Sequence, residues 1–271
     1  IAIWVISYWQ VLGSPKKFNL IELGAGNGEM IKTMIESFKR FPTFNKSCNI
    51  FIYEKSPSLI TIQKKKIKEN NVKWIPSLKK LNNLPNIFLA NEFFDAIPIK
   101  QYLKKKGFWF ERFVDISKPK KAKFINKKVN IKSIEKKLNF KISYNQNFIE
   151  YSPIGLKYLR DIVKLIKKNN GGLLIIDYGY NKEKMKDTLQ AIFNKKYSNV
   201  LKNIGNSDIT YNINFHLIKK IVQSLNKINI NFSTQKKFLL KMGIKKRAEI
   251  ISKNKTFTEK ADIYYRLDRL I

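Results

Sequence analysis

The first half of the chain alternates short apolar runs with longer segments whose apolar residues recur at helical spacing. The apolar runs predict four strands, FNLIEL (18–23), NIFIYE (49–54), VKWI (72–75) and NIFLAN (86–91). A segment from residue 28 predicts a helix with one apolar side, formed by Met30, Met34, Ile35 and Phe38. A second helix is predicted over SPSLITIQKKKIKEN (56–70), with Ser56 as its cap and Pro57 at its first position.

The pattern changes after residue 97 and returns near residue 150. Alternating segments around Gly107 and Pro119 (IKQYLKK, GFWFERFVDI and KAKFINKKV) predict an antiparallel insertion. A helix capped by Ser152 and Pro153 then precedes GGLLIIDYG (171–179), which we expect to be a buried strand. Helices follow near 214–227 and 234–241, with two more to the end, and residues 1–12 predict a packed helix rather than a signal peptide.

Strands alternating with helices indicate an α/β fold with a Rossmann-like parallel sheet and helices on both faces. We therefore assign residues 1–97 and 150–271 to the sheet domain, which ends in a helical C-terminal part. Residues 98–149 form the antiparallel insertion, a subdomain on the substrate side. Because residue 1 is Ile rather than Met, we expect the chain to be a fragment of a longer protein.

The cysteine and histidine content limits the disulfides and metal sites that the chain can form. The single cysteine, Cys48, excludes an intramolecular disulfide, and the single histidine, His216, argues against a histidine-ligated zinc site. His216 lies at a helical position, where a structural role is expected. The sequence contains no run of eighteen apolar residues, so it predicts no transmembrane helix. We expect an intracellular protein, cytoplasmic in a bacterium.

The net charge of +34 suggests contact with nucleic acid. However, only six of the 54 basic residues are Arg, the residue on which base readout depends most. Abundant Lys, Ile and Asn is also typical of an AT-rich genome. We therefore expect nonspecific contact with nucleic acid at low salt rather than a cognate nucleic-acid substrate.

Polar residues follow four of the predicted strands, in the stretches ELGAGNGE, YEKSP, NEFFD and DYGY. In doubly wound sheets, ligands bind beyond the carboxyl ends of the strands. We expect the carboxylates of NEFFD to face the same crevice as the glycine-rich loop after the first strand.

The glycine-rich loop favours a cationic cofactor. Its glycines Gly24, Gly26 and Gly28 do not complete a dinucleotide fingerprint, because Glu29 stands where the third glycine would fall. Glu22 and Glu29 on either side of the loop would repel a pyrophosphate but suit S-adenosylmethionine, whose sulfonium and amino groups are positive. Glu54 is placed to accept the ribose hydroxyls. The alternative is a tight turn with no ligand.

The chain resembles the MidA-type family of class I methyltransferases, whose mitochondrial relatives are arginine methyltransferases that assist assembly of respiratory complex I. The resemblance runs nearly end to end. It rests on ELGAGNG at 22, YEKSP at 53, NEFFDAIPIKQ at 91, WFER at 109, EYSP at 150, GGLLIIDYGY at 171, TLQA at 188, DITYNINF at 208 and TQKKFLLKMGI at 234. The family normally carries a segment upstream of Ile1 and tends to carry a histidine after TLQA, where this chain has Lys195 or its neighbours.

The resemblance implies an S-adenosylmethionine site formed by Glu22, Gly24, Ala25, Gly26, Gly28, Glu54, Lys55 and Asn91. It implies a protein substrate, with Glu92 binding an arginine guanidinium, Asn91 and Asp95 supporting it, and Glu111 reaching over from the insertion. Phe93, Phe94, Asp177 and Tyr178 would line the substrate side. No metal site is predicted, a homodimer is compatible with the sequence, and a eukaryotic protein would occupy the mitochondrial matrix.

Several of these residues also have simpler interpretations. Asp95 is equally well explained as the cap of a helix starting at Ala96, and Glu111 as the partner of Arg112 or of a nearby lysine. Phe93 and Phe94 are typical core residues. Two other functions stay open: an assembly factor that binds the cofactor without turnover, and a nucleic-acid methyltransferase. The latter is disfavoured because Glu92 places an anion where a neutral exocyclic amine would bind.

Overall fold

The protein is represented by a computed structural model that describes residues 1–69, 71–116, 122–225 and 228–271. The predicted positions Asn70, Pro119 and 226–227 lie outside the described residues. The first part of the chain forms α1 (Ala2–Val11), β1 (Phe18–Leu23), α2 (Glu29–Phe38), α3 (Pro42–Ser47), β2 (Cys48–Tyr53), α4 (Pro57–Lys66), β3 (Val72–Ile75), a 3₁₀ turn (Leu78–Lys80) and β4 (Asn86–Asn91).

The middle of the chain contains β5 (Lys100–Lys105), β6 (Phe108–Asp115), β7 (Lys123–Val129), α5 (Ile131–Leu138), β8 (Phe148–Tyr151), α6 (Pro153–Asn169) and β9 (Gly171–Ile176). Short strands follow: β10 (Gly179–Tyr180), β11 (Gln190–Phe193), β12 (Lys196–Ser198), β13 (Asp208–Thr210) and β14 (Ile213–Asn214). The chain ends with α7 (Phe215–Ser224), α8 (Gln235–Lys241), α9 (Ile244–Ser252) and α10 (Phe257–Leu270).

The central sheet is parallel, with strand order β3-β2-β1-β4-β9. Apolar side chains project from both of its faces, as expected for strands that are buried on two sides. One face packs against α1 and α2 through residues such as Val5, Ile31 and Phe38. The other packs against α6 and residues near β14, including Ile162 and Ile213. The predicted α/β fold with helices on both faces is confirmed.

The strand order reverses between β1 and β4, which are neighbours in the sheet although β2 and β3 separate them in sequence. In this fold class, a crevice opens beyond the carboxyl ends of the strands at that reversal. The glycine-rich loop follows β1, and the NEFFD segment follows β4. The topology therefore brings these two stretches to the same end of the sheet.

The predicted antiparallel region is a four-stranded sheet of order β7-β6-β5-β8. It includes β8, which ends at Tyr151, and it is accompanied by α5, a helix that the sequence pattern did not predict. The inner face of this sheet contributes Tyr102, Trp109 and Ile149 to a third apolar cluster with α6 and α7.

Two expectations about elements need correction. GGLLIIDYG was expected to be a buried strand, but residues 173–176 of β9 are only half-buried, because β9 ends the strand order of the central sheet. The helix over 56–70 begins as predicted, with Ser56 Oγ accepting from Leu59 N, but ends at Lys66. No helix in the described residues has the length and apolar character needed to cross a membrane.

Candidate functional site

The loop after β1 depends on glycine backbone conformations. Gly24, Gly26 and Gly28 have φ values of 64°, 53° and 81°, a region that costs other residues about 1–2 kcal/mol. Gly24 N donates to Tyr53 O at 2.9 Å, which fixes the loop against the end of β2, and Gly28 is the N-terminal cap of α2. Ala25, between two glycines, is buried. The loop therefore turns from β1 directly into a helix N-terminus.

Gly26 and Gly24 differ in the free space around their backbones. A Cβ added to Gly26 would meet no atom within 4 Å, so the backbone there is open to an approaching ligand. A Cβ added to Gly24 would lie 2.9 Å from Phe93 Cδ2. Phe93 belongs to NEFFD, so the predicted proximity of NEFFD to the glycine loop is a direct packing contact.

Glu54 follows β2 and is half-buried. Its Oε1 accepts from the backbone N–H groups of Lys55 (2.8 Å) and Ser56 (2.9 Å), and its Oε2 accepts from Gln63 Nε2 at 3.3 Å. These bonds hold the carboxylate beside the glycine loop. Lys55 is exposed, and its ammonium lies 5.3 Å from the centre of the Tyr158 ring.

Glu22 lies within β1 and is only 3% exposed. Its Oε2 has no hydrogen-bond partner among the described residues, and burial raises its pKa to about 7. The register pairs Glu22 with Leu89, so Glu22 and Asn91 project from the same face of the sheet. A buried carboxyl oxygen without a partner at the strand end is a group that a cation could satisfy.

The NEFFD segment places Glu92 in solvent and Asp95 inside. Glu92 is exposed and adopts a left-handed backbone with φ 47°, while its N–H donates to Ile176 O at 2.9 Å. Asp95 is buried, and its Oδ1 has no hydrogen-bond partner among the described residues. Burial, together with the nearby charges of Glu92 and Asp208, raises the pKa of Asp95.

The alternative interpretation of Asp95 as a helix cap is wrong. No helix begins at Ala96; the chain turns there and continues through Pro98 into β5. Proline removes a backbone donor and restricts the residue before it, which disfavours a helix across 96–99.

Asp177, just after β9, holds the NEFFD segment in place. Its Oδ2 accepts from Phe94 N at 3.1 Å and from Asp95 N at 3.3 Å, and its Oδ1 accepts from Tyr178 N at 2.9 Å. Burial, with a smaller contribution from Asp95, raises the pKa of Asp177 to about 7. Tyr178 itself is 63% exposed beside this anchor.

The two phenylalanines have different surroundings. Phe94 is buried in the core. Phe93 is half-buried and forms edge contacts with Phe94 and Tyr158, whose hydroxyl is 2.8 Å from that of Tyr53. Phe93 therefore links the glycine loop, NEFFD and α6.

Glu111 lies in β6 on the inner face of the antiparallel sheet. It forms an ion pair with Lys100 at 2.5 Å and interacts with the Tyr102 hydroxyl. This agrees with the interpretation of Glu111 as the partner of a nearby lysine. Arg112 instead binds Asp187 and Gln101. The described contacts of Glu111 do not include NEFFD.

Sequence reasoning missed one residue that shapes the site, Gln63, and the anchoring role of another, Asp177. Asp177 was expected only on the crevice wall, and Gln63 was not considered although it contacts both Gly26 and Glu54. A signal for Gln63 exists: it is a polar residue on the helical face that also carries Ile60 and Ile67. The spacing of Gln63 from these two isoleucines predicts that its side chain is buried, and a buried amide needs hydrogen-bond partners.

A family model described as "Putative S-adenosyl-L-methionine-dependent methyltransferase" matches residues 1–233. The chain belongs to this family. The resemblance indicated by the sequence motifs is thereby confirmed, and with it the expected cofactor, S-adenosylmethionine.

Curated relatives include the mitochondrial protein arginine methyltransferase NDUFAF7. The Xenopus tropicalis protein is 27% identical over 277 residues, which cover 93% of this chain and 64% of that protein. The Homo sapiens protein is 25% identical over 275 residues, covering 93% and 62%. The chain thus spans less than two thirds of the length of these relatives.

Two solved structures from Burkholderia thailandensis share the fold. One has a TM-score of 0.77 at 18% identity and covers 97% of this chain and 72% of that chain. The other, a protein bound to S-adenosyl-homocysteine, has a TM-score of 0.76 at 18% identity and covers 97% and 70%.

Proposed function

We propose that this protein transfers a methyl group from S-adenosylmethionine to an arginine side chain of a partner protein. The observation that carries the proposal is the position of Glu92. Its carboxylate is exposed at the end of β4, and the next residue, Phe93, packs on Gly24 of the glycine loop. Glu92 forms no ion pair among the described residues, in a chain with a net charge of +34.

The residues at the strand ends fit the cofactor. Open space at Gly26 allows close approach of a ligand to the backbone, and the unpartnered oxygen of buried Glu22 suits a positively charged group. We propose that Gly24, Ala25, Gly26 and Gly28 form the cradle, that Glu54 accepts the ribose hydroxyls, and that Lys55 and Asn91 border it. When bound, S-adenosylmethionine supplies a methyl group on a sulfonium, and its transfer leaves a neutral thioether.

The acceptor side follows from the chemistry of arginine. A guanidinium stays protonated in proteins and offers only hydrogen-bond donors. An exposed carboxylate binds it through two parallel hydrogen bonds, which orients one nitrogen and localises charge on the other. We assign this role to Glu92, with Asn91 beside it and Asp95 beneath the turn. Loss of one proton from the methylated nitrogen balances the transfer, and Glu92 or solvent accepts it.

The other candidate residues have supporting roles in this proposal. Asp177 positions the NEFFD backbone through its bonds to Phe94 and Asp95. Tyr178 and the half-buried Phe93 would border the acceptor. A catalytic role of Glu111 stays a prediction, and its pairing with Lys100 favours a structural one.

The names of the relatives support the substrate class, since NDUFAF7 is named a protein arginine methyltransferase and mitochondrial. We infer that this protein works on a subunit of respiratory complex I or its bacterial counterpart, in the bacterial cytoplasm or, in a eukaryote, in the matrix. Nonspecific contact with nucleic acid and a homodimer stay predictions. Salt-dependent binding to unrelated nucleic acids and sedimentation would test them.

One experiment separates the functional classes. The full-length protein is incubated with S-adenosylmethionine carrying a labelled methyl group and a cell extract, and the labelled product is hydrolysed. Methylarginine supports the proposal, and a methylated base would establish a nucleic-acid methyltransferase instead. If no label is transferred although calorimetry shows cofactor binding, the protein is an assembly factor that binds the cofactor without turnover.

A further inference from the structure

Gln63 is a fully buried polar residue in α4 that contacts both sides of the cofactor cradle. Its Nε2 donates to Gly26 O at 2.8 Å and to Glu54 Oε2 at 3.3 Å. Its Oε1 accepts from Trp74 Nε1 at 2.8 Å. The side chain is 0% exposed. One amide therefore joins the loop after β1, the loop after β2 and strand β3, which contains Trp74.

The orientation of this amide follows from its partners. The indole N–H of Trp74 can only donate, so the atom facing it must be the amide oxygen. The amide nitrogen then faces Gly26 O and Glu54, which both accept. Both Nε2 hydrogens and the amide oxygen are thus used, as a buried amide requires.

If residue 63 served only to pack the interior, an apolar side chain would be sufficient. Ile60 and Ile67 occupy the same face of the α4 segment, and a Cβ added to Gly28 would contact Ile67 Cδ1 at 3.2 Å and Gln63 Cγ at 3.4 Å. A methionine or leucine at 63 would fill similar space without the cost of burying an amide. The bonds to Gly26 and Glu54 are what an apolar residue would lack.

We propose that Gln63 is a positioning residue for the cofactor: it fixes the Gly26 turn and the Glu54 carboxylate relative to each other. The inference rests on the proposed function, in which the glycine turn and Glu54 bind different parts of S-adenosylmethionine. Glu54 Oε1 is held by its own loop, so Gln63 is the described partner of its Oε2. Without Gln63, the carboxylate and the Gly26 carbonyl lose their common donor.

The test measures binding of S-adenosyl-homocysteine by calorimetry to the wild-type chain, Gln63→Met, Trp74→Phe and Glu54→Ala. Gln63→Met keeps the shape but removes both donors, and we expect its Kd to rise about tenfold, or ~1.4 kcal/mol. Trp74→Phe is the matched control because it removes the bond on the far side of the amide and leaves both donors in place. Its Kd should stay within about threefold of wild type.

A double-mutant cycle tests whether Gln63 acts through Glu54. In a Glu54→Ala background, Gln63→Met should weaken binding by clearly less than it does in the wild type. A residue that only stabilises the fold would give additive effects. Gln63→Glu adds a second test: near neutral pH its carboxylate would face Glu54 and the Gly26 carbonyl. Affinity should then recover as pH falls and the new carboxyl protonates, a recovery that Gln63→Met cannot show.

A measurement on the wild type guards against variants that fail to fold. On binding, the Nε2 protons of Gln63 should shift in NMR spectra and exchange more slowly with solvent. If wild type binds, Glu54→Ala weakens binding, and Gln63→Met binds within about threefold of wild type, the inference is wrong while the proposed function stands. Unchanged Nε2 protons on binding would also overturn it. If wild type does not bind the ligand, the proposed function fails first.

Discussion

The ring of Phe93 occupies the space that a side chain at Gly24 would need, since a Cβ there would lie 2.9 Å from Phe93 Cδ2. This contact joins the end of β1 to the end of β4 across the reversal of strand order. In the proposed function, one side of the contact binds the cofactor and the other presents Glu92 to the acceptor. The two halves of the site are therefore packed on each other.

Gly24→Ala tests this contact. Alanine at φ 64° costs about 1–2 kcal/mol in backbone strain, and its Cβ would also displace Phe93. Gly107→Ala is a matched control, because Gly107 has φ 81° and no atom within 4 Å of an added Cβ. We expect Gly24→Ala to lower the free energy of unfolding in urea by at least 1 kcal/mol more than the control. Equal losses in both variants would show that Phe93 moves aside freely.

Glu54→Ala tests the assignment of the ribose contact. The substitution removes a carboxylate that would accept the ribose hydroxyls and that orders its own loop through Lys55 N and Ser56 N. We expect affinity for S-adenosylmethionine to fall at least tenfold, or ~1.4 kcal/mol, by calorimetry. Glu36→Ala, an exposed glutamate of α2 paired with Lys39, serves as the control. Unchanged affinity in Glu54→Ala would remove Glu54 from the site.

Much of the fold could be predicted because periodicity and caps are local properties. The parallel sheet, the antiparallel strands and the helix begun by Ser56 and Pro57 all follow from short-range patterns. The burial of β9 could not be predicted, because an apolar run does not reveal whether its strand is central or terminal in the sheet. That position depends on contacts far apart in sequence.

The same limit applies to the site. The glycine loop and NEFFD could be placed together from the strand-end rule, and their contact through Phe93 agrees with it. The bonds of Gln63 to Gly26 and of Asp177 to residues 94 and 95 join positions 37 and more than 80 residues apart. Asp95 showed the opposite error: a local cap signal was outweighed by Pro98 and by the return of the chain into β5.

Glu92→Gln tests the proposed contact with the acceptor. The amide keeps the size of the side chain but cannot bind a guanidinium through two charged hydrogen bonds. We expect transfer of labelled methyl to arginine to be lost while affinity for the cofactor is unchanged. Glu111→Gln is the comparison variant: because Glu111 pairs with Lys100 within the antiparallel sheet, we expect it to retain turnover. Retained turnover in Glu92→Gln would refute the role of Glu92, and loss in a folded Glu111→Gln would restore Glu111 as a catalytic candidate.

The buried carboxyl of Glu22 makes a prediction about pH. Burial raises its pKa from 4.5 to about 7, so the folded protein favours the protonated form. A raised carboxyl pKa contributes stability that is fully present below pH 4.5 and is lost as pH rises through about 7. Glu22→Gln, which cannot ionise, should therefore gain stability relative to wild type across this window, by on the order of 3 kcal/mol.

Urea unfolding at intervals between pH 4.5 and 8 measures the effect, with Glu36→Gln as an exposed control that should parallel wild type. Glu22→Gln should also weaken binding of S-adenosylmethionine, because the amide cannot neutralise a cationic ligand. A gain in stability together with a loss of affinity is expected where a buried charge is retained for binding rather than for folding. Parallel pH curves for wild type and Glu22→Gln would show that burial does not raise the pKa of Glu22. Unchanged affinity in Glu22→Gln would remove the support for a cation at its unpartnered oxygen.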